Sequence, residues 1–185
     1  MDFLFLTWDD LQDQCFKLAK LIHKQNIKLD RIVCVSRGGL IIARILSDFL
    51  DLPISNFTIV SYVSVGVTGK PKIVEKLSVD IKSESVLLVD EIVDHGTTLK
   101  CALDYLATKK PKKIYSLAPV IKPWTKIKPD YYLIETKKWV VYPYELKETI
   151  DDLKKIFLKE GKTKKDLEKT INKLKFNPQQ AKYFL

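Results

Sequence analysis

No apolar run in this 185-residue chain approaches the roughly 18 residues that a membrane-spanning helix needs. The N-terminus also lacks the basic-then-apolar form of a secretory signal, so a cytoplasmic protein with no membrane partner is expected. Cysteine is scarce. Cys15, Cys34 and Cys101 are odd in number, scattered, and set in apolar stretches without metal-like spacing. They read as small core residues in a reducing compartment, which excludes a disulfide framework and argues against a cysteine nucleophile. Asparagine and glutamine are few beside abundant lysine, a composition that leans thermophilic. What remains fits one soluble core of about 150 residues with an appendage.

The formal charge is +9, and its placement matters more than its size. Residues 151–185 carry ten lysines and five acids, a net of +5, leaving +4 for the first 150 residues. A modest excess over the main body suits an enzyme whose substrate is a polyanion. In the tail, Leu153, Ile156, Phe157, Leu167, Ile171 and Leu174 recur at helical spacing, broken at Glu160-Gly161-Lys162. Two or three amphipathic helices are expected there, the last starting at Asn177-Pro178. A nucleic-acid arm is the other reading of a basic tail. Interleaved acids and a regular apolar stripe favour packing on the core or on a partner subunit.

The most informative stretch is residues 86–99, Val-Leu-Leu-Val-Asp-Glu-Ile-Val-Asp-His-Gly-Thr-Thr-Leu. Its first four residues read as a strand buried on both faces. Asp90, Glu91 and Asp94 follow, and then His95-Gly96-Thr97-Thr98 opens a helix. A helix N-terminus offers unpaired N–H groups and a positive dipole end to a phosphate, and Gly96 lets the backbone come close. The acids are then available for ribose hydroxyls, a divalent cation or a proton. An ordinary turn with solvated acids is the alternative, but three acids in five residues directly before Gly-Thr-Thr argue against it.

Ser36-Arg37-Gly38-Gly39 makes a second anion site by the same logic. It follows a buried strand at 31–35 and opens a helix at 40–50, and Arg37 adds a fork-shaped permanent charge. The wider pattern alternates helix and strand. A helix capped by Thr7 runs to about Gln25, a long strand covers 54–65, and a glycine-punctuated loop at 66–71 interrupts it before 73–77 resumes. Further extended runs lie at 113–121, 131–134 and 139–141. In parallel α/β sheets ligands bind at the carboxyl ends of strands, where both loops fall.

Residues 86–99 resemble the phosphoribosyl-pyrophosphate (PRPP) signature of the type I phosphoribosyltransferases, and Ser36-Arg37-Gly38-Gly39 resembles that family's pyrophosphate loop. With Lys122, Trp139 and Glu145, the pattern over residues 3–146 is similar to the short bacterial and archaeal 6-oxopurine phosphoribosyltransferases. The resemblance implies the type I phosphoribosyltransferase fold, an α/β fold with a mostly parallel sheet flanked by helices and a small base-binding hood, over residues 1–146. Residues 147–185 would then be a helical extension. It implies transfer of 5-phosphoribosyl from PRPP to hypoxanthine, guanine or xanthine, with Mg²⁺ and a homodimer or higher homo-oligomer. The 5′-phosphate would sit at Asp94, His95, Gly96, Thr97 and Thr98, and the diphosphate at Ser36, Arg37, Gly38 and Gly39. Asp90 and Glu91 would take the ribose hydroxyls and, with Glu145, the metal. Asp94 would be the acid–base group at purine N7, Lys122 would read O6, and Arg37 would stabilise departing pyrophosphate. Trp139 and Val140 would line the base, with Glu145 near its exocyclic edge. By resemblance, the 66–71 loop would be a hood that excludes water.

One position departs from the family pattern. The residue after Asp94 is usually a small hydroxyl residue, and here it is His95. Two readings stand open: the imidazole points away and only its backbone N–H serves, or an imidazolium contacts the phosphate. Two other functions are weighed. A PRPP- or nucleotide-sensing regulator on the same fold would suit the basic tail, but no reader domain is evident. A phosphoribosyltransferase for adenine or a pyrimidine fits less well, since adenine has no O6 acceptor for Lys122.

Overall fold

The computed structural model describes the backbone of residues 2–64 and 67–185, and the side chains of those residues other than 61–64 and 67–69. The chain forms two compact units, one of Gln12–Lys137 and one of Met1–Leu11 with Lys138–Leu185. Strand β1 (Phe3–Phe5) opens the chain, and helix α1 (Trp8–Lys24) follows. Thr7 caps α1 as its sequence predicts: Asp10 N–H donates to Thr7 Oγ1 at 3.1 Å and Thr7 N–H donates back to Asp10 Oδ2 at 2.9 Å.

The larger unit is built on a five-stranded sheet. Its elements are β2 (Arg31–Ser36), α2 (Gly39–Leu50), β3 (Ile54–Ser64), β4 (Val67–Glu75), β5 (Ser85–Val89), β6 (Ile92–Val93), α3 (Thr97–Ala107) and β7 (Lys113–Leu117). The order is β4-β3-β2-β5-β7, parallel throughout except for the edge strand β4, which is antiparallel to β3. Alternation along the strands sends Val33, Val35, Val86 and Leu88 into one core cluster with Phe57, Ile59 and the α3 residues Leu99, Ala102 and Leu106. Ile32, Cys34, Leu87 and Val89 point the other way and are equally buried. Both faces are thus covered, which is why β2 and β5 read as unbroken apolar runs.

Three expectations are corrected here. The run at 113–121 is not one strand. Pro119, which has no N–H for a ladder, separates β7 from β8 (Val120–Ile121), and β8 joins a second, three-stranded parallel sheet in the order β6-β8-β9. The run at 131–134 contributes a single bridge from Tyr131 to Leu117 before β9 (Ile134–Glu135). The interrupting loop is mostly strand, because β4 begins at Val67 and pairs back along β3. Val65 and Gly66 lie outside the described residues.

In the other unit, β1 pairs in parallel with β10 (Trp139–Val141), Phe3 opposite Trp139 and Phe5 opposite Val141. Helices α4 (Leu146–Lys159), α5 (Lys164–Ile171) and α6 (Pro178–Phe184) follow. The tail stripe is a core: Leu153, Phe157, Leu167, Ile171 and Leu174 are buried together, with Phe3 and Phe5 against them. The Phe5 ring meets Phe176 edge-on at 5.1 Å. No helix among the described residues is long and apolar enough to cross a membrane.

Candidate active site

Strands β2 and β5 are neighbours in the sheet, with Cys34 opposite Val89. The chain leaves both at their carboxyl ends, so the 36–39 and 90–98 loops emerge side by side. Their contact is tight. A Cβ placed on Gly38 would fall inside the Glu91 side chain, and one on Gly39 would lie 2.5 Å from the Val89 carbonyl oxygen and 3.2 Å from Cys34 Cβ. Glycine at both positions lets the helix α2 start close over β5. The Ser36 hydroxyl is held from the adjacent strand, accepting from Asn56 Nδ2 at 2.8 Å, and the Ser36–Arg37 peptide is cis.

Both loops lead into helices whose first turns lack a side-chain cap. Gly38 is the N-cap of α2 and Gly96, at φ 82°, that of α3. The left-handed backbone at Gly96 favours glycine, and its bare α-carbon also admits the following turn, with Thr125 Oγ1 3.0 Å and Ile127 N 3.2 Å from where a Cβ would stand. Two helix starts without an N-cap side chain thus stand at the ends of β2 and β5, the setting in which backbone N–H groups bind anions.

The acidic pair is electrostatically loaded. Asp90 Oδ1 accepts from Glu91 N–H at 2.9 Å, yet burial, and then the Glu91 charge, push the Asp90 carboxyl up to about 7. Hard oxygens in that state fit a hydrated divalent cation or hydroxyl donors. Among the described residues no group of three or more His, Cys, Asp or Glu side chains could cage a metal.

Beyond the pair, Asp94 is exposed and has two rings beside it. Trp124 Nε1 donates to its Oδ1 at 2.5 Å, and His95 Nδ1 lies 3.2 Å from the same oxygen. Lys122 follows β8, its backbone N–H donating to the Val93 carbonyl at 2.9 Å. Only 7% of this lysine is exposed; burial pulls its pKa down and the Asp94 charge pushes back. Its Nζ sits 5.7 Å from the Trp124 ring centroid. The larger unit thus brings together Ser36, Arg37, Gly38 and Gly39 with Asp90 and Glu91, and Asp94 with His95 and Lys122.

Trp139, Val140 and Glu145 belong to the other unit. There Val140 is buried, Trp139 is half-buried in β10, and the Glu145 carboxylate accepts from Tyr142 N–H at 3.1 Å. Sequence reasoning assigned nothing to Trp124, although it stands two residues after Lys122. A lone exposed tryptophan carries no signal of its own; its hydrogen bond to Asp94 is a tertiary fact.

A parallel α/β sheet with two glycine-capped helix starts and an acidic pair between them defines a class of proteins suited to ligands that carry both phosphate and hydroxyl groups. A family model, the phosphoribosyl transferase domain, matches residues 7–149. The chain belongs to that family and has its type I fold. The xanthine-guanine phosphoribosyltransferase of Gluconobacter oxydans is 30% identical over 147 residues, covering 76% of this chain and 83% of the relative. The crystal structure of a purine phosphoribosyltransferase from Pyrococcus horikoshii superposes with a TM-score of 0.70 at 35% identity, over 78% of this chain and 95% of that one. The transcriptional regulator GfcR of Methanococcus maripaludis is 26% identical over 118 residues, and the match spans 58% of the regulator.

Proposed function

We propose that the protein transfers the 5-phosphoribosyl group of PRPP to a 6-oxopurine, giving a purine nucleoside 5′-monophosphate and pyrophosphate. The observation that carries this reading is the buried Lys122 beside Asp94, next to a loop that ends in the uncapped α3 start. A lysine ammonium donates to a ring carbonyl oxygen, and a carboxylate accepts a ring N–H proton; a 6-oxopurine presents O6 and N7 on one edge.

The chemistry then follows from charge. The C1–O bond to diphosphate breaks as a purine nitrogen attacks C1, through an oxocarbenium-like transition state. Negative charge grows on the leaving diphosphate, where Arg37 and the N–H groups of Gly38, Gly39 and the first turn of α2 meet it. The 5′-phosphate rests on the N–H groups of residues 95–98. Asp90 and Glu91 take the ribose hydroxyls. Asp94 receives the purine N7 proton, and Lys122 stabilises the charge that builds at O6.

Mg²⁺ is part of the proposal: Asp90 and Glu91 would hold it, and when bound it would supply neutralising charge to the diphosphate. By family resemblance Glu145 contributes to the metal or the exocyclic edge, Trp139 and Val140 line the base, and the protein acts as a homo-oligomer in the cytoplasm.

The test is pyrophosphate release with PRPP, Mg²⁺ and a panel of hypoxanthine, guanine, xanthine, adenine, orotate and uracil. Turnover with at least one oxopurine and none with the others is expected. Activity confined to adenine or a pyrimidine would overturn the base assignment, and PRPP binding without turnover of any base would favour a sensor.

A further inference from the structure

We propose that Trp124 is a positioning residue that arranges both base-reading groups before the purine arrives; this rests on the reading of Asp94 and Lys122 given above. The indole N–H can donate and cannot accept, so its hydrogen bond to Asp94 Oδ1 fixes the orientation of the carboxylate. His95 Nδ1 approaches the same oxygen. The Trp124 hydrogen bond thus engages Oδ1 of the carboxylate, and Oδ2 is the oxygen we assign to a purine N–H. The other face of the arrangement is cationic. The same ring lies 5.7 Å from Lys122 Nζ, within reach of a cation–π attraction that steadies a buried ammonium. One side chain is therefore shared by the proton acceptor and the O6 donor.

The scaffold that carries Trp124 is fixed. Thr125 N–H donates to the Lys122 carbonyl at 3.0 Å, closing a turn across Pro123 and Trp124. Thr125 Oγ1 donates to the Ile127 carbonyl at 3.0 Å, and this turn is seated against the bare α-carbon of Gly96. The glycine that frees the α3 start for phosphate is the same glycine that lets the Trp124 turn approach. Trp124 itself is 44% exposed, so one side of the ring stays open to solvent.

Two variants separate the functions of the ring. Trp124→Phe keeps an aromatic face over Lys122 and loses the N–H; Trp124→Leu loses both. With the oxopurine that turns over best, Trp124→Phe should lower kcat roughly tenfold, the scale of one hydrogen bond to a charged group, with KM for PRPP unchanged. Trp124→Leu should add a rise in purine KM. A raised purine KM with unchanged kcat in Trp124→Phe would make the ring a stacking platform and overturn the proposal, as would wild-type kinetics.

A second measurement is independent of turnover. The chain has three tryptophans, so a ¹⁵N spectrum contains three indole signals, and the one lost in Trp124→Phe is that of Trp124. It should move in Asp94→Ala. If it stays, the positioning contact is absent whatever the protein catalyses. If it moves while Asp94→Asn turns over normally, the contact is real and the acid–base reading is what fails.

Discussion

Five of the six helix starts among the described residues fall into two kinds, and the contrast between them separates ligand chemistry from scaffolding. At the starts of α1, α5 and α6 the chain satisfies its own N–H groups, whereas Glu145 at the start of α4 makes no side-chain cap hydrogen bond and fits neither kind. Thr7 and Asp10 cap α1 reciprocally, Thr163 and Asp166 form the same box on α5, and Asn177 Oδ1 accepts from Gln179 and Gln180 N–H at the start of α6. At the carboxyl ends of β2 and β5, glycines stand where those caps would be, so neither α2 nor α3 has an N-cap side chain. A side-chain cap contributes about 1 kcal/mol to stability. Forgoing it at two adjacent loops makes sense where an external anion completes the helix, and self-capping makes sense where none binds.

The contrast breaks most severely at the acid between the two regimes. Asp94→Asn leaves the backbone donors of α3 in place, so PRPP affinity should persist while turnover drops by about 10²–10⁴-fold, the usual worth of a general acid–base group. Single-turnover kinetics with a PRPP titration separate the two quantities.

Filling an open helix start is the next test. Gly38→Ala must push the Glu91 side chain aside, disturbing both loops at once. PRPP affinity should weaken by roughly tenfold, comparable to losing one charge-assisted hydrogen bond, as read by calorimetric titration.

A closed helix start should behave in the opposite way. Asn177→Ala removes the α6 cap and should cost about 1 kcal/mol in denaturant unfolding, with kcat and both KM values unchanged. A loss of PRPP affinity in this variant would erase the distinction between the two kinds of start.

The smallest effect is one of pH. Hydrogen bonds from Thr7 and Thr163, side chain first and then backbone, hold the Asp10 and Asp166 carboxyls below the ordinary range. A depressed folded pKa contributes stability that is present above the unfolded value near 4 and is lost as pH falls through the folded one. Thermal melts of Asp10→Asn and Asp166→Asn should therefore lose part of the wild-type decline in Tm below about pH 4.

Most of the site-bearing architecture was legible because its signals are local. The apolar runs at β2 and β5, the acids after Val89 and the glycines opening α2 and α3 lie within a few residues of one another, and the structure follows them closely. The tail helices were equally plain, since a stripe at helical spacing with Gly161 and Asn177-Pro178 as punctuation leaves little choice. What escaped depends on distant partners. β1 is three residues long and is a strand only because β10 runs beside it. The split at Pro119 was visible as a residue, but the move of β8 to another sheet requires β6 and β9 to receive it. The 67–75 strand was hidden by Gly69 and Pro71, turn-formers that an edge strand tolerates. Trp124 on Asp94 and Glu91 over Gly38 are meetings of side chains from separate loops, which no spacing rule anticipates.

The comparison of helix starts is tested most directly by following backbone amides during a PRPP titration of the ¹⁵N-labelled protein with Mg²⁺ present. Amides of residues 37–40 and 95–98 should shift together and saturate at one concentration, while those of residues 163–166 and 177–180 stay where they are. Unmoved signals at the two glycine-capped starts, or shifts centred on the self-capped ones, would contradict the account.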